Sequence, residues 1–438
     1  MSSAPAPTRR PTLLMRRLPG FYGWTILAAA TLGMAATLPG QTAGVSLFIE
    51  GFVRDLDLSR SVVSWAYTIA TVIGALALPY IGRQMDRIGP RRMVALVGGG
   101  FALACMAMSQ ITGWITLFIG FLLLRGLGQG ALGLINNHVV NLWFERRRGF
   151  AIGVLGLGMA GATALFPPLI EQLLQAYGWA LTYVILGVIL AIGVIPLLVL
   201  LYRREPEQFA LHPDGPPPPP SAADESESQA STVQQDTIRG LTLVDARRTR
   251  TFWLFIAGGV CSGGLGTGLL FHHFAIMAEA GAERAAAAQF FVPYGLFTAV
   301  FTLGMGWLLD RVAPRYILTV LMAAYALLMV GAPFATTPAL VWSYGVGFGV
   351  AQGTQNALLG SAFAYYFGRA HHGSIRGFAA TVFVAGTALG PVLLALGPDV
   401  FSSFTPVLWA SAPLPVVVAI ASCWAEYAHW DRQALARA

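Results

Sequence analysis

The sequence predicts an all-α integral membrane protein made of two six-helix bundles that are related as parallel repeats. Three observations predict this fold. Hydrophobic residues make up 56% of the 438 residues and charged residues 11%, whereas about a quarter of a soluble globular chain is charged. Apolar stretches of about 20 residues or more recur, each long enough to cross a bilayer as a helix. A charged motif of the first half returns in the second half, again between apolar stretches.

The apolar stretches predict twelve transmembrane helices. Glycine is abundant inside them, and small residues allow membrane helices to approach one another closely. The predicted helices span 22–48, 62–82, 93–111, 115–143, 149–173, 180–202, 251–277, 286–309, 316–335, 339–367, 376–397 and 402–425.

The repeated motif shows that the two halves run in the same direction. Residues 82–92 read GRQMDRIGPRR, and residues 306–315 read GWLLDRVAPR at a shift of 224. The same shift aligns Gly40 with Gly264 in the first helix of each half. In transporters, repeats of this kind rock against each other around a central site. We therefore expect the functional site between the halves.

A polar insert separates the halves. It contains five consecutive prolines, 216–220, followed by a stretch rich in Ser, Glu and Gln, a composition typical of a flexible tether. Regulation through Ser226 or Ser228 is the alternative. The predicted organisation is a cytoplasmic N-terminal tail 1–21, an N-terminal bundle 22–202, a cytoplasmic linker 203–250, a C-terminal bundle 251–425 and a cytoplasmic C-terminal tail 426–438.

The distribution of arginine predicts the orientation in the membrane. All 27 basic residues are Arg, and they cluster in the N-terminal tail, in the connection between the second and third helices, and at 146–148. Loops on the other side carry few, namely Arg54, Arg60 and Arg284. Because positive charge concentrates in cytoplasmic loops, both termini are predicted to be cytoplasmic, in the plasma (inner) membrane. The net charge of +7 then reflects topology and contact with lipid headgroups rather than nucleic-acid binding.

Over essentially its whole length the chain resembles the major facilitator superfamily, through the paired Gly-x-x-x-Asp-Arg-x-Gly-x-Arg loops, the twelve helices and the central linker. The resemblance implies the major facilitator fold. It also implies that these loops latch the cytoplasmic side of one conformation, with Asp86 facing helix N-termini or the Arg cluster 146–148. The alternative is a charged turn that only sets topology. The implied latch residues are Gly82, Asp86, Arg87, Arg91, Asp310 and Arg311.

Shorter motifs resemble the monocarboxylate and oxalate/formate transporter branch of this superfamily. They lie at 22–24, 40–46, 58–60, 143–149 and 366–369. This resemblance implies a secondary active transporter that moves a small organic anion by alternating access, linked to protons. The eighth predicted helix, however, lacks the basic residue with which the best-known members hold a carboxylate. The alternative is therefore an exporter of small lipophilic or drug-like compounds.

Polar side chains within the predicted helices are the candidates for the cavity wall, because polar groups in a membrane turn toward the bundle interior. Arg125 is the one arginine that lies away from the ends of a predicted helix. It is the candidate countercharge, with snorkelling to the interface as its alternative. His272 is the candidate for proton coupling, since imidazole changes charge near neutral pH. The predicted substrate-binding residues are Gln41, Thr42, Ser46, Tyr67, Arg125, Gln129, Asn136, Asn137, His272, Gln352, Gln355 and Asn356.

No enzymatic activity, metal site or cofactor is predicted. Cys105, Cys261 and Cys423 lie singly in apolar stretches and lack the spacing of a metal or redox pair. A chain without lysine has no phosphate-binding Gly-x-x-x-x-Gly-Lys loop. The expected partners are a small-molecule substrate, protons and membrane lipid, with no nucleic acid and no requirement for oligomerisation.

Overall fold

The computed structural model describes residues 21–209, 211–214, 240–309, 311–368 and 371–424. These residues form helices and short connections, and their one β-bridge joins Gly240 to Gly368. Within them, nine helices are long and apolar enough to cross a membrane, and a pair bent by 60°, Gly23–Ser46 and Ile49–Asp55, makes a tenth span. The predicted all-α membrane fold is confirmed.

Two further spans bring the number to twelve. The segment Arg148–Leu201 has 54 residues and as one straight helix would be about 80 Å long, more than twice the thickness of the hydrocarbon core. It breaks at Gly178, where φ is 73°, and therefore contains two spans. The other is the 30-residue helix Pro338–Phe367, which is long enough to cross.

We number the membrane helices α1 to α12. Their bounds are α1 Gly23–Ser46, α2 Arg60–Ile88, α3 Pro90–Gln110, α4 Trp114–Trp143, α5 148–177, α6 179–201, α7 Arg250–Phe271, α8 Arg284–Leu309, α9 Pro314–Phe334, α10 Pro338–Phe367, α11 His372–Phe401 and α12 Thr405–Ser422. Short helices Ile49–Asp55 and His273–Glu279 follow α1 and α7.

The helix starts reproduce the sequence repeat. Arg60 and Arg284 begin α2 and α8, and Pro90 and Pro314 begin α3 and α9, each pair 224 residues apart. The short helices after α1 and α7 begin at Ile49 and His273, also 224 residues apart. The two halves are thus parallel repeats, as predicted.

The connection between α2 and α3 is shorter than expected from the sequence. Most of the charged stretch 82–92 is helical, and the turn consists of Gly89, with φ at 87°. Glycine adopts positive φ without a steric penalty, and Pro90 at the first position of α3 has a ring preorganised for a helix start. The sequence placed the end of this helix too early because its last turns are polar. With 29 residues α2 is longer than a hydrocarbon core requires, so its polar end can remain helical outside the core.

α1 is broken in its middle. Leu38–Gly40 form a single 3₁₀ turn, and Gln41 is extended with ψ at 158°. Such a break leaves backbone carbonyls without helical partners, which is tolerated in a membrane only where protein groups or a cavity satisfy them. A Cβ atom at Gly40 would lie 2.4 Å from the Leu124 carbonyl oxygen of α4. The broken part of α1 therefore rests directly on the α4 backbone.

The two halves contact each other mainly through α2 with α11 and α5 with α8, and to a smaller extent through α1 with α7. Successive helices cross in opposite directions, so the connections α1–α2, α5–α6, α7–α8 and α11–α12 share one end of the bundle. We call this the Arg-poor end, and we call the opposite end, with the α2–α3 and α4–α5 connections, the Arg-rich end. Among the described residues, the side-chain hydrogen bonds between the halves lie at the Arg-poor end and extend down α2 as far as Thr68.

Candidate functional site: a central cavity between the halves

A cavity of about 710 Å³ lies between the two halves, within the range usual for ligand sites. Side chains of α1, α2, α4 and α5 form one wall, and side chains of α7, α8, α10 and α11 form the other. On α5 the wall continues to Gly149, the second residue of that helix. The cavity thus runs from the middle of the bundle toward the Arg-rich end.

Seven of the predicted binding residues lie on the cavity wall. Three of them lie where a helix of the first half is irregular. Gln41 is at the break in α1, and Arg125 and Gln129 lie in the π-helix Leu124–Leu132 of α4. π-Helical turns are frequent at functional sites. The seven are Gln41, Thr42, Arg125, Gln129, Gln352, Gln355 and Asn356.

Three other predicted residues lie behind the wall and bond to the protein. The Ser46 hydroxyl donates to the Ala43 carbonyl at 2.9 Å. Asn136 is fully buried and accepts from the Tyr202 hydroxyl at 2.6 Å. Asn137 donates to the Gly133 carbonyl of its own helix at 2.9 Å. These contacts place the three side chains in helix packing within this conformation.

Tyr67 lies directly behind the wall and supports two residues on it. Its ring is fully buried, and its hydroxyl is 2.7 Å from the hydroxyl of Thr42. The Arg125 guanidinium lies over the ring, with Cζ 4.7 Å from the centroid. Because an aromatic face attracts a cation, Tyr67 fixes the position of Arg125.

His272 lies at the Arg-poor end, away from the cavity wall. It is 1% exposed, and its Nε2 is 2.9 Å from the Pro391 carbonyl oxygen and 3.4 Å from the Ser64 hydroxyl of the other half. Its Nδ1 is buried without a hydrogen-bond partner among the described residues. His272 therefore joins the closed end of the bundle.

The Arg125 side chain points into the bundle and is 5% exposed, so it does not snorkel to the interface. Its Nε donates to the Thr71 hydroxyl at 3.0 Å, and its Nη1 donates to the Gly40 carbonyl at 3.0 Å. The second bond uses the carbonyl freed by the break in α1. Arg125 thereby connects α1, α2 and α4 at the inner end of the cavity, in the middle of the bundle.

Arg125 has more donors than protein partners. A guanidinium carries five N–H groups, and two of them form the bonds described above. In the described part of the chain, the ion pairs are Arg54–Asp55, Arg60–Glu50 and Arg284–Glu171, and none includes Arg125. The described cavity wall contains no Asp or Glu. Arg125 is thus a positive charge with unused donors at the wall.

Several polar wall residues, most of them threonines, are not among the predicted binding residues. A threonine within an apolar helix gives no distinct signal, because its hydroxyl can bond to a carbonyl of its own helix; Thr298 does so, to Tyr294 at 2.7 Å. The additional polar wall residues are Thr71, Thr163, Thr267, Tyr294, Thr298, Thr302 and Thr387.

The predicted latch residues lie at the Arg-rich end. Gly82, Asp86 and Arg87 are on the last turns of α2, and Arg91 is on the first turn of α3. The side chain of Asp86 is exposed. Asp310 lies outside the described residues, and Arg311 lies over the Trp307 ring, with Cζ 3.9 Å from the centroid.

A linker residue, Asp214, binds the turn that precedes α5. This turn contains part of the Arg cluster 146–148, which is one of the predicted partners of Asp86. The carboxylate of Asp214 accepts hydrogen bonds from the backbone N–H groups of 145–147 at 3.1, 2.6 and 3.2 Å. Partial burial raises the pKa of this carboxyl, but the three N–H bonds and the charge of Arg146 outweigh burial and lower it. In this conformation the linker therefore binds the turn that precedes α5.

The described residues contain no group of three or more His, Cys, Asp or Glu side chains arranged to hold a metal ion. The cysteines Cys105, Cys261 and Cys423 are free.

Comparison with solved structures supports the fold. The crystal structure of a bacterial homolog of the human lysosomal transporter Spinster, in an inward-facing and occupied conformation, superposes with a TM-score of 0.68 at 16% identity, covering 92% of this chain and 97% of that one. The nucleoside transporter NupG gives a TM-score of 0.67 at 14% identity, covering 92% of this chain and 98% of that one. Similarity at this level of identity concerns the fold alone.

Curated relatives are similar over part of their length. Monocarboxylate transporter 6 of Mus musculus is 29% identical over 175 residues, which are 39% of this chain and 36% of that protein. The oxalate:formate antiporter of Oxalobacter formigenes is 28% identical over 185 residues, 42% of this chain and 43% of that protein. These names are those of transporters, not enzymes. The family model described as Major Facilitator Superfamily matches residues 25–391. The chain therefore belongs to the Major Facilitator Superfamily and is related to monocarboxylate and oxalate:formate transporters.

Proposed function

We propose that the protein is a secondary active transporter that moves a small, monocarboxylate-like organic anion across the membrane by alternating access. One observation carries this proposal: Arg125 presents unused N–H groups to a cavity whose described wall has no acidic side chain. A buried charge without a counter-ion is unfavourable, so an entering anion offsets its cost. The names of the relatives, monocarboxylate transporter 6 and oxalate:formate antiporter, support the same substrate class.

Arg125 is suited to hold a carboxylate because its orientation is already fixed. Thr71 holds Nε, the Gly40 carbonyl holds Nη1, and the Tyr67 ring supports the face of the guanidinium. The remaining donors lie on a planar fork, which can form two parallel hydrogen bonds with a carboxylate. Gln41, Thr42 and Gln129 on the same wall complete the proposed site for the anionic group.

Alternating access follows from the different contacts at the two ends of the bundle. The halves are joined at the Arg-poor end by Arg284–Glu171 and by Ser64–His272, while the cavity runs toward the Arg-rich end. The predicted latch residues lie at the Arg-rich end. Rocking of the halves would break the first set of contacts and engage the latch, and so expose the cavity on the other side.

We further propose that transport is linked to protons through His272. Its Nε2 contacts both a carbonyl of its own half and Ser64 of the other half, and its Nδ1 lacks a partner among the described residues. Because the Pro391 carbonyl can only accept, Nε2 carries the hydrogen of the neutral ring, and a second proton would bind at Nδ1. Proton binding would then place a positive charge where the two halves meet. In the proposed orientation the protein lies in the plasma (inner) membrane with its Arg-rich end in the cytoplasm. It contacts lipid headgroups and does not require oligomerisation.

Uptake into proteoliposomes tests the proposal. The panel contains labelled lactate, pyruvate, oxalate, formate and a neutral lipophilic amine, each measured with and without an inward proton gradient. Saturable, gradient-stimulated uptake of an acid is expected, with strong loss in Arg125→Gln and none in Arg92→Gln, which removes an exposed arginine of the Arg-rich end.

Movement of the amine without any acid would overturn the proposal. It would instead establish an exporter of lipophilic compounds, the alternative that the apolar part of the cavity wall supports; that part includes Ile152, Leu157, Met159, Leu270 and Leu303.

A further inference from the structure

We propose that Tyr67 links the occupation of the Arg125 site to the closed Arg-poor end, so that a bound anion promotes the opening of that end. Tyr67 acts as a positioning residue, because its ring contacts Arg125 of its own half and Phe271 of the other half. The inference rests on the proposed function, in which Arg125 holds the anion.

One face of α2 runs from the closed end of the bundle to Arg125. Ser64, Tyr67 and Thr71 are spaced by three and four residues, so they project from the same side of the helix. Ser64 contacts His272 of the other half, and the Thr71 hydroxyl accepts from Arg125 Nε at 3.0 Å. Tyr67 therefore lies between a contact that joins the halves and the proposed anion site.

The Tyr67 ring packs against the other half. Its centroid is 4.6 Å from that of Phe271, the last residue of α7, and the two planes form an angle of 52°. Phe271 is 1% exposed and directly precedes His272. Aromatic pairs at this separation stabilise a contact beyond the area that they bury. The ring pair thus belongs to the contacts that close the Arg-poor end.

The contact of Tyr67 with Arg125 depends on the charge of the guanidinium. Arg125 Cζ lies 4.7 Å from the ring centroid, and a cation is attracted to an aromatic face electrostatically. A carboxylate bound to the free donors of Arg125 would neutralise this charge and draw the guanidinium toward the cavity.

Phe271 holds the same ring in the described conformation, so the ring cannot follow the guanidinium. The anion should therefore bind this conformation less tightly than one in which the halves have separated at Phe271. Because a ligand shifts an equilibrium toward the state that it binds more tightly, the bound anion favours opening of the Arg-poor end.

The accessibility of Ser64→Cys tests the inference on the full-length protein in a background without Cys105, Cys261 and Cys423. Ser64 is fully buried and lies off the described cavity wall, so a bound anion does not shield it. The probe is lactate, pyruvate, oxalate or formate, whichever proteoliposomes take up. At saturation it should raise the rate of labelling by a membrane-impermeant thiol reagent from the Arg-poor side about tenfold, the equivalent of one desolvated contact between a cation and a ring.

Two Phe→Leu variants locate the effect. Phe271→Leu removes the ring contact between the halves, so the anion should raise the labelling rate by about twofold or less. Its dissociation constant, obtained from the rise in the melting temperature, should fall about tenfold, because coupling between two sites is reciprocal. Phe121→Leu removes another ring that contacts Tyr67, at 5.7 Å within the same half, and should keep the response and the affinity of the parent.

Substitutions of Tyr67 separate the role of its ring from that of its hydroxyl. Tyr67→Phe loses the bond to Thr42 but keeps both ring contacts, and should keep the response to the anion. Tyr67→Leu loses both ring contacts and should lose the response. The unliganded melting temperature shows whether each variant is folded, and Phe271→Leu and Tyr67→Leu test the same ring contact independently.

The outcomes separate this inference from the proposed function. An equal response in the parent and in Phe271→Leu, or no response of the parent to an anion that binds, would overturn the inference and leave an anion transporter. If none of the acids binds and none is taken up by proteoliposomes, the proposed function itself fails.

Discussion

Glu171 of α5 and Arg284 at the start of α8 form an ion pair between the two halves, with 2.6 Å between Oε1 and Nε. The Glu171 side chain is 3% exposed. Arg284 also donates from Nη2 to the Leu47 carbonyl at 2.8 Å, so a single guanidinium joins α8 to both α5 and the end of α1. By the repeat, Arg284 corresponds to Arg60, whose carboxylate partner Glu50 lies within its own half. Among the described residues, Arg284 forms an ion pair between the halves, whereas Arg60 forms its ion pair within its own half and reaches the other half through the ring of Phe404, with Cζ 5.8 Å from the centroid.

Loss of the Glu171–Arg284 pair should open the Arg-poor end. Glu171→Gln removes the charge but keeps the size of the side chain, and loss of a charge-assisted hydrogen bond in a buried site shifts a conformational equilibrium by about tenfold. The measurement uses Thr163→Cys on the cavity wall, in a background without Cys105, Cys261 and Cys423. Labelling by a membrane-impermeant thiol reagent from the Arg-poor side should accelerate by about this factor.

The matched control is Glu50→Gln, which breaks the equivalent ion pair inside the N-terminal half. Its labelling rate should stay near that of the parent. Equal acceleration in both variants would show that any charge loss at this end loosens the bundle, and the gate assigned to Glu171 and Arg284 would have to be abandoned.

The sequence predicted the fold and much of the cavity, because both leave local signals. The repeat at 224 residues and the apolar stretches predicted the two bundles. The position of Arg125 inside an apolar stretch predicted that its side chain faces the bundle interior. The ion pair Glu171–Arg284 left no such signal. Charged residues near the ends of membrane helices are common, so neither residue indicates a partner by itself. The two residues are 113 positions apart, and the packing of α5 against α8 brings them together.

Asp86→Asn should slow the exchange between the two conformations without abolishing substrate binding. In the described conformation the Asp86 side chain is exposed, so its loss should not weaken this state. A latch at the Arg-rich end would act in the opposite state, and loss of one charged hydrogen bond there corresponds to roughly a tenfold change in rate. Exchange is measured as counterflow in proteoliposomes loaded with the substrate found in uptake.

Glu207→Gln provides the comparison, because Glu207 is an exposed carboxylate at the same end outside the repeated motif. Unchanged counterflow in Asp86→Asn would remove the latch and leave the motif as a charged turn that sets topology.

Asp214 should stabilise the turn that precedes α5 at neutral pH but not in acid. Its pKa is lowered in the folded protein by the N–H groups of 145–147, so its stabilising effect is present above the pKa of an unfolded Asp and is lost as pH falls through the lower folded value. Negative charge at a helix N-terminus contributes on the order of 0.5 kcal/mol. The melting temperature of Asp214→Ala should therefore fall below that of the parent at pH 7, and the difference should shrink toward pH 3. A difference independent of pH would mean that Asp214 acts through packing rather than charge.

Gly40→Ala should destabilise the contact between α1 and α4 at the inner end of the cavity. A Cβ atom at this position would lie 2.4 Å from the Leu124 carbonyl oxygen and 3.2 Å from the Gln129 backbone nitrogen, so α1 and α4 would have to separate. That separation would also lengthen the bond from Arg125 to the Gly40 carbonyl. Overpacking of this kind costs about 1–3 kcal/mol, and substrate affinity should fall together with the melting temperature.

The control is Gly99→Ala on α3, where a Cβ atom meets nothing within 4 Å and alanine favours the helix. If Gly40→Ala melts no lower than the control and binds substrate normally, the close contact between α1 and α4 is not what positions Arg125.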